Sequence, residues 1–562
     1  RIIVWSDDTT ASHGAISARG GPLGGHGGFV EVSGRQQLQF SSVVDTRAPA
    51  GRRGTLLLDP ADIVVGSPDA GYTAVSELAD ATSPGAMQVS PAVLEAQASD
   101  IVLQASNDIV FAEALSLSGP NGAAASLTAE AGNRVRVQAS LQATGAITLQ
   151  GQAGVSVEGV AVTAGEGLRL QAPAGTVTVY GGSTLTAGAG IELLGNALAT
   201  AATGVAVFGP SVVRAGTVLP ASDVVIEGAS GDNAAPGVLL QGGSGIDLSA
   251  GSTGQVRITG TGSDQGTGVA ITGRLLGTGA LVVTGALDAA VAGGVPAGDP
   301  LGIALQDAIV GAAGVARAIT LQSPQHAVRI SSSQLRSGGA PLVITASDQG
   351  SANSQLDGLA LFDVTLDATS PAGTSAEGTV EVLAVTRQLS STSARPGLSL
   401  RGAIDLRADV RVNLLGRADG VPGAGDLATL GLAVGVDTST TVSATGLVTL
   451  WGSAAWGTGT VADRATFDVA TGGDFTLVGE SAHRGAYALD LGPVSGVTFN
   501  GSGAAVTLFG TNLATRGSLP ATGGGVRIGQ VSAAASSARC TYSPVVADSG
   551  GSAVSTSRAS SR

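Results

Sequence analysis

A repeat of about 22 residues constrains this chain more than any other feature. The fragments IVLQAS, ASLTAE, AITLQG, LRLQAP and IELLGN align on Leu103, Leu127, Leu149, Leu170 and Leu193, spaced 24, 22, 21 and 23 residues apart. A second apolar series, Ile109, Val135, Val155, Val177 and Val205, follows the first. A third, less regular, runs Leu117, Leu141, Val162 and Leu185. Each period thus holds three short alternating strands separated by Gly, Ala, Asn or Pro turns. At about 3.3 Å per residue, three strands of four to six residues with their turns use roughly 20 to 25 residues. That is one coil of a parallel β-helix, in which equivalent residues stack at about 4.8 Å. One coil cannot bury its apolar face alone; its neighbours must cover it.

The stretch GGFVEVSGRQQLQF, Gly27 to Phe40, is a sample of such a coil. Either Phe29 or the pair Val30 and Val32 faces inward, and Leu38 and Phe40 open a second alternation. From about residue 230 the period lengthens. GVLLQG at Gly237 recurs as GVAITG at Gly268, GIALQD at Gly302, GLALFD at Gly358 and GLSLRG at Gly397, with gaps of 31, 34, 56 and 39. The gap of 56 fits two coils, and the extra residues fit longer loops on one face. SPAVLEAQA carries a helix start, with Ser90 at the N-cap and Pro91 at the first helical position, which predicts a short helix near 91–98. Val531 to Arg562, rich in Ser, Ala and Arg, lacks sustained alternation and is expected to be disordered.

Composition agrees with this fold class. Gly is 87 of 562 residues, roughly twice the usual share, while charged residues are 12% and aromatics 3%. A narrow coil interior favours Val, Leu, Ile and Ala and is expected to exclude aromatic rings. Net charge is −14, the basic residues are all Arg, and no basic cluster stands out, which argues against a nucleic-acid partner. Cys540 is the lone cysteine, so no internal disulfide forms. The most apolar run, Gly273 to Val295, contains Arg274, Asp288 and six glycines and reads as strands and turns rather than a membrane span.

The segment from Val4 to Val65, with GAISARGG, GGFVEVSG and VDTRAPAGRRGTLLLDP, followed by SPAVLEAQASDIVLQASNDIVF, resembles a block of filamentous haemagglutinin-like exoproteins, the adhesins of two-partner secretion. The match is dense over about residues 1 to 111. The resemblance implies a right-handed parallel β-helix, exported across the outer membrane of a Gram-negative bacterium with the help of an outer-membrane transporter partner. It also implies a secreted or cell-surface location. The family has no shared catalytic residues. The expected organisation is a family-specific β-helix block at 1–66, a connector with the short helix at 67–100, regular coils at 101–229, looser coils at 230–530 and the tail at 531–562. The chain starts at Arg1 without Met or signal peptide and reads as a middle fragment.

Chemistry-bearing residues are scattered. His13 and His26 sit in Gly-rich turns, His326 and His483 are isolated, and none has the further ligands a metal requires. Asp7, Asp8, Asp45, Asp59 and Asp62 lack the tandem glycine-aspartate repeat of calcium-binding β-rolls and read as turn formers. Trp5, Trp451 and Trp456 are the tryptophans; WGSAAWG could offer two aromatics to a sugar or fill a wide coil. RADV at Arg407 and RADG at Arg417 are exposed turns, and NGS at Asn500 matches a glycosylation sequon. No catalytic, cofactor-binding or metal residue is assigned. The expectation is a structural and adhesive segment, not an enzyme, that holds loops on a stiff β-helical rod and binds a host-cell, glycan or abiotic surface. The alternatives are a β-helical polysaccharide lyase or hydrolase and a ligand-free biofilm scaffold. Self-association through open coil ends is a further expectation.

Overall fold

The computed structural model describes residues 1–35, 37–66, 86–119, 123–200, 202–288, 300–312, 314–348, 357–371, 377–387, 395–420, 429–471, 473–483, 486–501, 504–512, 526–529, 531–533 and 539–546. The chain forms two compact units, residues 1–259 with 277–279, and residues 260–276 with 280–562. Each is a parallel β-helix.

In the first unit the repeat is plain. One coil comprises the strands Leu127–Ala131, Arg134–Val137 and Leu141–Ala143; the next comprises Ile147–Gly151, Gly154–Glu158 and Ala161–Ala164. Each strand pairs in parallel with its equivalent one coil on. The second apolar series stacks as read from the sequence: Ile109, Val135, Val155, Val177 and Val205 form one unbroken column. The other two series each need one correction of two residues. Leu103 stacks on Ala129, and Leu127 belongs instead between Ile101 and Ile147. Likewise Leu115, not Leu117, stacks on Leu141. A slip of two residues keeps every side chain on its face, so alternation alone cannot detect it. Leu149, Leu170 and Leu193 are fully buried in this column, each stabilising the coil by roughly 1.5–3 kcal/mol before ordering costs.

The opening coils follow the same logic. Val30 and Val32 face inward and are fully buried, which settles the choice against Phe29. Val30 stacks between Ile2 and Leu56, and Val32 between Val4 and Leu58. The glycines ahead of this strand serve close backbone approach: a Cβ at Gly27 would stand 1.8 Å from the Thr46 carbonyl oxygen. The helix Pro91–Glu95 forms where Ser90 and Pro91 predicted it, ending three residues before the expected limit. Ser90 has extended N-cap geometry but makes no side-chain cap bond. Leu94 is fully buried beneath the helix. Gln97 locks the joint: its side-chain amide donates to the carbonyls of Val93 and Ser42, and its carbonyl accepts from the Val44 amide at 2.7 Å. Most of the connector ahead of the helix, 67–85, lies outside the described residues.

The second unit has longer strands that bend rather than stop. Val269, Ile303, Val328, Leu359, Leu398 and Leu432 form one column. Val328 splits the gap of 56 into coils of 25 and 31 residues. The apolar run from Gly273 contributes to the strands Thr267–Leu276 and Ala280–Asp288. At the bend between sheet faces, successive coils place a residue in left-handed backbone geometry: Gly273, Asp307, Ser332, Asp363 and Gly402, with φ of 77°, 50°, 47°, 54° and 71°. The interior also departs from the expectation that rings would crowd it. Phe467, Phe475 and Phe499 are fully buried, with Phe467 and Phe499 stacked at 5.1 Å between centroids. Parallel register sets equivalent rings about one strand spacing apart, which suits offset stacking. The longer loops expected from about 230 fall largely on 289–299, 349–356, 388–394 and 421–428, outside the described residues. Toward the end, Val531–Ala533 and Arg539–Val546 pair with Val497–Asn500 and Ala505–Asn512, so the ladder runs into the stretch expected to be disordered. Residues 534–538 and 547–562 lie outside the described residues.

Candidate functional site

Strand alternation places inward residues in the core and leaves outward residues to face solvent in columns, one side chain per coil. In the second unit the strands Leu342–Asp348 and Thr379–Thr386, the later parts of Pro396–Ala418 and Thr440–Ala454, then Asp474–Ser481 and Ala505–Asn512 lie side by side in parallel. One outward column reads Leu383, Leu415, Trp451, Val478 and Phe509. Leu383 and Trp451 remain 39% and 37% exposed; the others are half-buried. The adjoining outward column reads Glu381, Asn413, Thr449, Thr476 and Thr507. An apolar ladder and a polar ladder thus run in parallel over five coils.

Between the two ladders lies a depression of about 420 Å³, lined among others by Thr345, Glu381, Leu383, Asn413, Leu415 and Trp451. Glu381 orders its polar wall. Its carboxylate accepts from Arg411 Nε at 2.8 Å and from Asn413 Nδ2 at 3.2 Å. The first unit offers a contrasting depression of about 400 Å³ over Thr148, Arg169, Glu192, Asp223, Val225 and Arg257. There the charges pair with one another, Arg169 with Glu192 at 2.7 Å and Arg257 with Asp223 at 2.5 Å. Exposed pairs of this kind are internally neutralised and contribute little.

Sequence reasoning missed the apolar ladder, although a signal was present. VNLLG at Val412, VTLWG at Val448, FTLVG at Phe475 and VTLFG at Val506 share one pattern. Each has two consecutive large apolar residues where alternation asks for a polar outward one. The first is core, and the second stands outside.

The residues weighed from the sequence are dispersed. His13 Nδ1 lies 2.6 Å from Ser41 Oγ, and His26 Nδ1 accepts from the Arg52 amide, so each histidine ties its turn to residues one coil on. His326 is pushed below the usual imidazole range, first by burial. His483 packs on Trp456 with centroids 4.2 Å apart, which gives Trp456 surroundings different from those of Trp451. Trp5 is 55% exposed. Asp7 lies 3.9 Å from Arg35, and the Asp8 carbonyl accepts from the Gln37 amide. Asp45 accepts from Arg47 through both carboxylate oxygens, at 2.8 and 2.6 Å, and this holds its pKa down to about 2. Asp59 is raised by burial and by nearby Glu31.

Asp62 acts between coils. Its Oδ1 accepts from Asn107 Nδ2 at 2.8 Å and from the Asp108 amide at 3.0 Å. One coil on, Asp108 Oδ1 accepts from Asn133 Nδ2 and the Arg134 amide at the same two distances. Asp62 and Asp108 thus form a two-step ladder, each carboxylate accepting from the turn one coil on. The RADV and RADG arginines pair locally, Arg407 with Asp405 and Arg417 with Asp419, both at 2.6 Å. The aspartate of RADV, Asp409, accepts from Ser370 Oγ and the Ser370 amide. Asn500 donates to Asp468 Oδ1 at 2.6 Å, and Ser502 of its sequon lies outside the described residues. Among the described residues, no group of three or more His, Cys, Asp or Glu is arranged to hold a metal ion. The chain matches no protein-family model and no curated protein sequence.

Proposed function

We propose that this chain is a structural and adhesive segment of a large secreted bacterial surface protein, of the filamentous haemagglutinin-like kind. In this reading a two-partner route with an outer-membrane transporter delivers it, and the β-helix holds contact surfaces and loops outside a Gram-negative cell. The observation that carries the proposal is the outward apolar ladder from Leu383 to Phe509, beside its polar companion. A soluble chain that keeps large apolar side chains aligned on an outer sheet face presents a surface suited to contact. Its repetition coil by coil suits many weak contacts acting together, whose combined avidity exceeds any one of them. The resemblance of Val4 to Val65 supports the same reading, and its Val30, Val32, Leu56 and Leu58 are core-building positions of the β-helix.

The test is retention of beads coated with the purified chain on cell, glycan-coated and abiotic surfaces. Saturable retention that climbs steeply with coating density is expected, and it should drop in a Leu415→Asp/Trp451→Asp variant. Absence of retention on every surface would favour a ligand-free biofilm scaffold. Release of soluble sugar from a polysaccharide would instead favour a β-helical lyase or hydrolase.

A further inference from the structure

We infer that the paired ladders over Leu383–Phe509 bind a neutral polysaccharide chain lying along the stacking direction. This deepens the adhesive reading and rests on it. A pyranose ring has apolar faces of C–H groups and a rim of hydroxyls. The site offers the matching halves side by side. Leu383, Leu415, Trp451, Val478 and Phe509 give an apolar track, and Asn413, Thr449, Thr476 and Thr507 give amide and hydroxyl groups along its edge. Trp451 supplies a large, rigid ring beside the depression, and Glu381 holds the Asn413 amide in place. A pocket of apolar walls with a few oriented polar groups is the general form of a small-molecule subsite. Here the form repeats at the coil spacing of about 4.8 Å, which suits a polymer better than a single sugar.

Other occupants fit less well. A peptide adding as a strand needs an open sheet edge. The strands that carry the ladder from Thr379–Thr386 to Ala505–Asn512 are hydrogen-bonded to neighbours on both sides. An anionic membrane surface or sulfated glycan needs basic residues. The chain carries −14, and Arg411 and Arg417 at this face are paired with Glu381 and Asp419. A second copy would meet a face about 24 Å by 13 Å, on the order of 600 Å² in total, about half of what a stable dimer buries.

The experiment is calorimetric titration of the full chain with neutral hexasaccharides: cellohexaose, laminarihexaose, xylohexaose and maltohexaose. Saturable binding to at least one is expected, unchanged at about 0.5 M NaCl. Trp451→Ala should weaken it by about tenfold or more. Thr449→Val, which removes the hydroxyl while keeping the shape, should weaken it a few-fold. Trp5→Ala, far from the ladder in sequence and in the other unit, should leave it unchanged. Circular dichroism matching the parent secures the fold of each variant. Failure of all four sugars to bind, or binding that Trp451→Ala leaves intact, overturns the inference. So does a dimer in sedimentation that Trp451→Ala dissolves, since a second copy then occupies the ladder. If coated beads still adhere while no hexasaccharide binds, the adhesive reading stands and the glycan inference alone falls.

Discussion

Ser332→Gly should stabilise the second unit, and the bend in its coils states by how much. Ser332 is exposed and sits at φ 47°, within a column of left-handed residues that begins at Gly273 and ends at Gly402. An L-residue in this geometry costs roughly 1–2 kcal/mol because its Cβ crowds the following carbonyl. Glycine removes that cost and adds roughly 0.5–1 kcal/mol of unfolded-chain entropy. The net gain is about 0.5–1 kcal/mol. Ser332→Val should move the other way, since a β-branched side chain fits left-handed geometry worst. The neighbour Ser333 provides a contrast. Its buried hydroxyl donates to the Ser331 carbonyl at 2.6 Å and accepts from the Ala308 amide at 3.0 Å, joining one coil to the previous one. Ser333→Ala leaves that amide without its side-chain acceptor and should cost roughly 1–3 kcal/mol. Stacked coils open locally, so one melting temperature is a poor readout. Native-state hydrogen exchange over Ala327–Arg336 is the better measurement. Protection should rise about two- to fivefold in Ser332→Gly and fall in the other two variants. Lower protection in Ser332→Gly, or a Ser332→Val variant equal to the parent, would refute the left-handed bend.

Phe467→Ala should cost roughly 3–5 kcal/mol, because it empties the centre of a buried trio whose other rings lie 5.0 and 5.1 Å away. Exchange protection should collapse in the flanking strands Thr440–Ala454 and Val497–Asn500 and persist in the first unit, where a uniform loss would contradict local coil energetics. Asp45, held near 2 from a usual 3.8 chiefly by its bond to Arg47, adds stability above pH 4 that is lost as pH falls from about 4 to about 2. Acid unfolding of the first unit should therefore lose part of its steepness in that window in Asp45→Asn, and an unchanged profile would show that the pair contributes nothing.

How far the fold was legible follows from what a coil demands of its residues. Ile109, Val135, Val155, Val177 and Val205 were readable as one column because β-branched residues recur at near-constant spacing with turns on both sides. The slip at Leu127 arose because Ala129 is the true member of a column otherwise marked by leucines, and the slip at Leu117 because Leu115, two residues earlier on the same face, is an equally large buried leucine. An alanine on an inward position carries little sequence signal, yet it fills its layer. The helix was legible because Ser90 and Pro91 act locally, whereas the buried Gln97 that pins it bonds across 53 and 55 residues and has no local signature. Of the aspartates read as turn formers, Asp45 makes the local bond, its Oδ1 accepting from the Arg47 amide two residues on, whereas Asp62 serves the next coil instead.

The outward ladder was hardest to see for a related reason. Period-two reading assigns each apolar residue to the core, so a pair such as Leu450 and Trp451 looks like a defect in one strand. Only register shows that Leu383, Leu415, Trp451, Val478 and Phe509 repeat the same departure coil after coil. A single exposed Leu or Trp is ordinary on a protein surface. Five in one column are a different matter, because each widens the same apolar strip and raises the tendency of the face to associate. A formal charge of −14 opposes association of the chain, and the apolar strip works against it. A polar ladder of Asn413, Thr449, Thr476 and Thr507 along the strip limits that tendency and gives direction to whatever settles there. Extending the strip by changing Thr449 and Thr476 to Val should therefore favour self-association over selective binding. Light scattering at rising concentration would reveal it, and a double variant that stays monomeric would argue that the polar ladder has no such part.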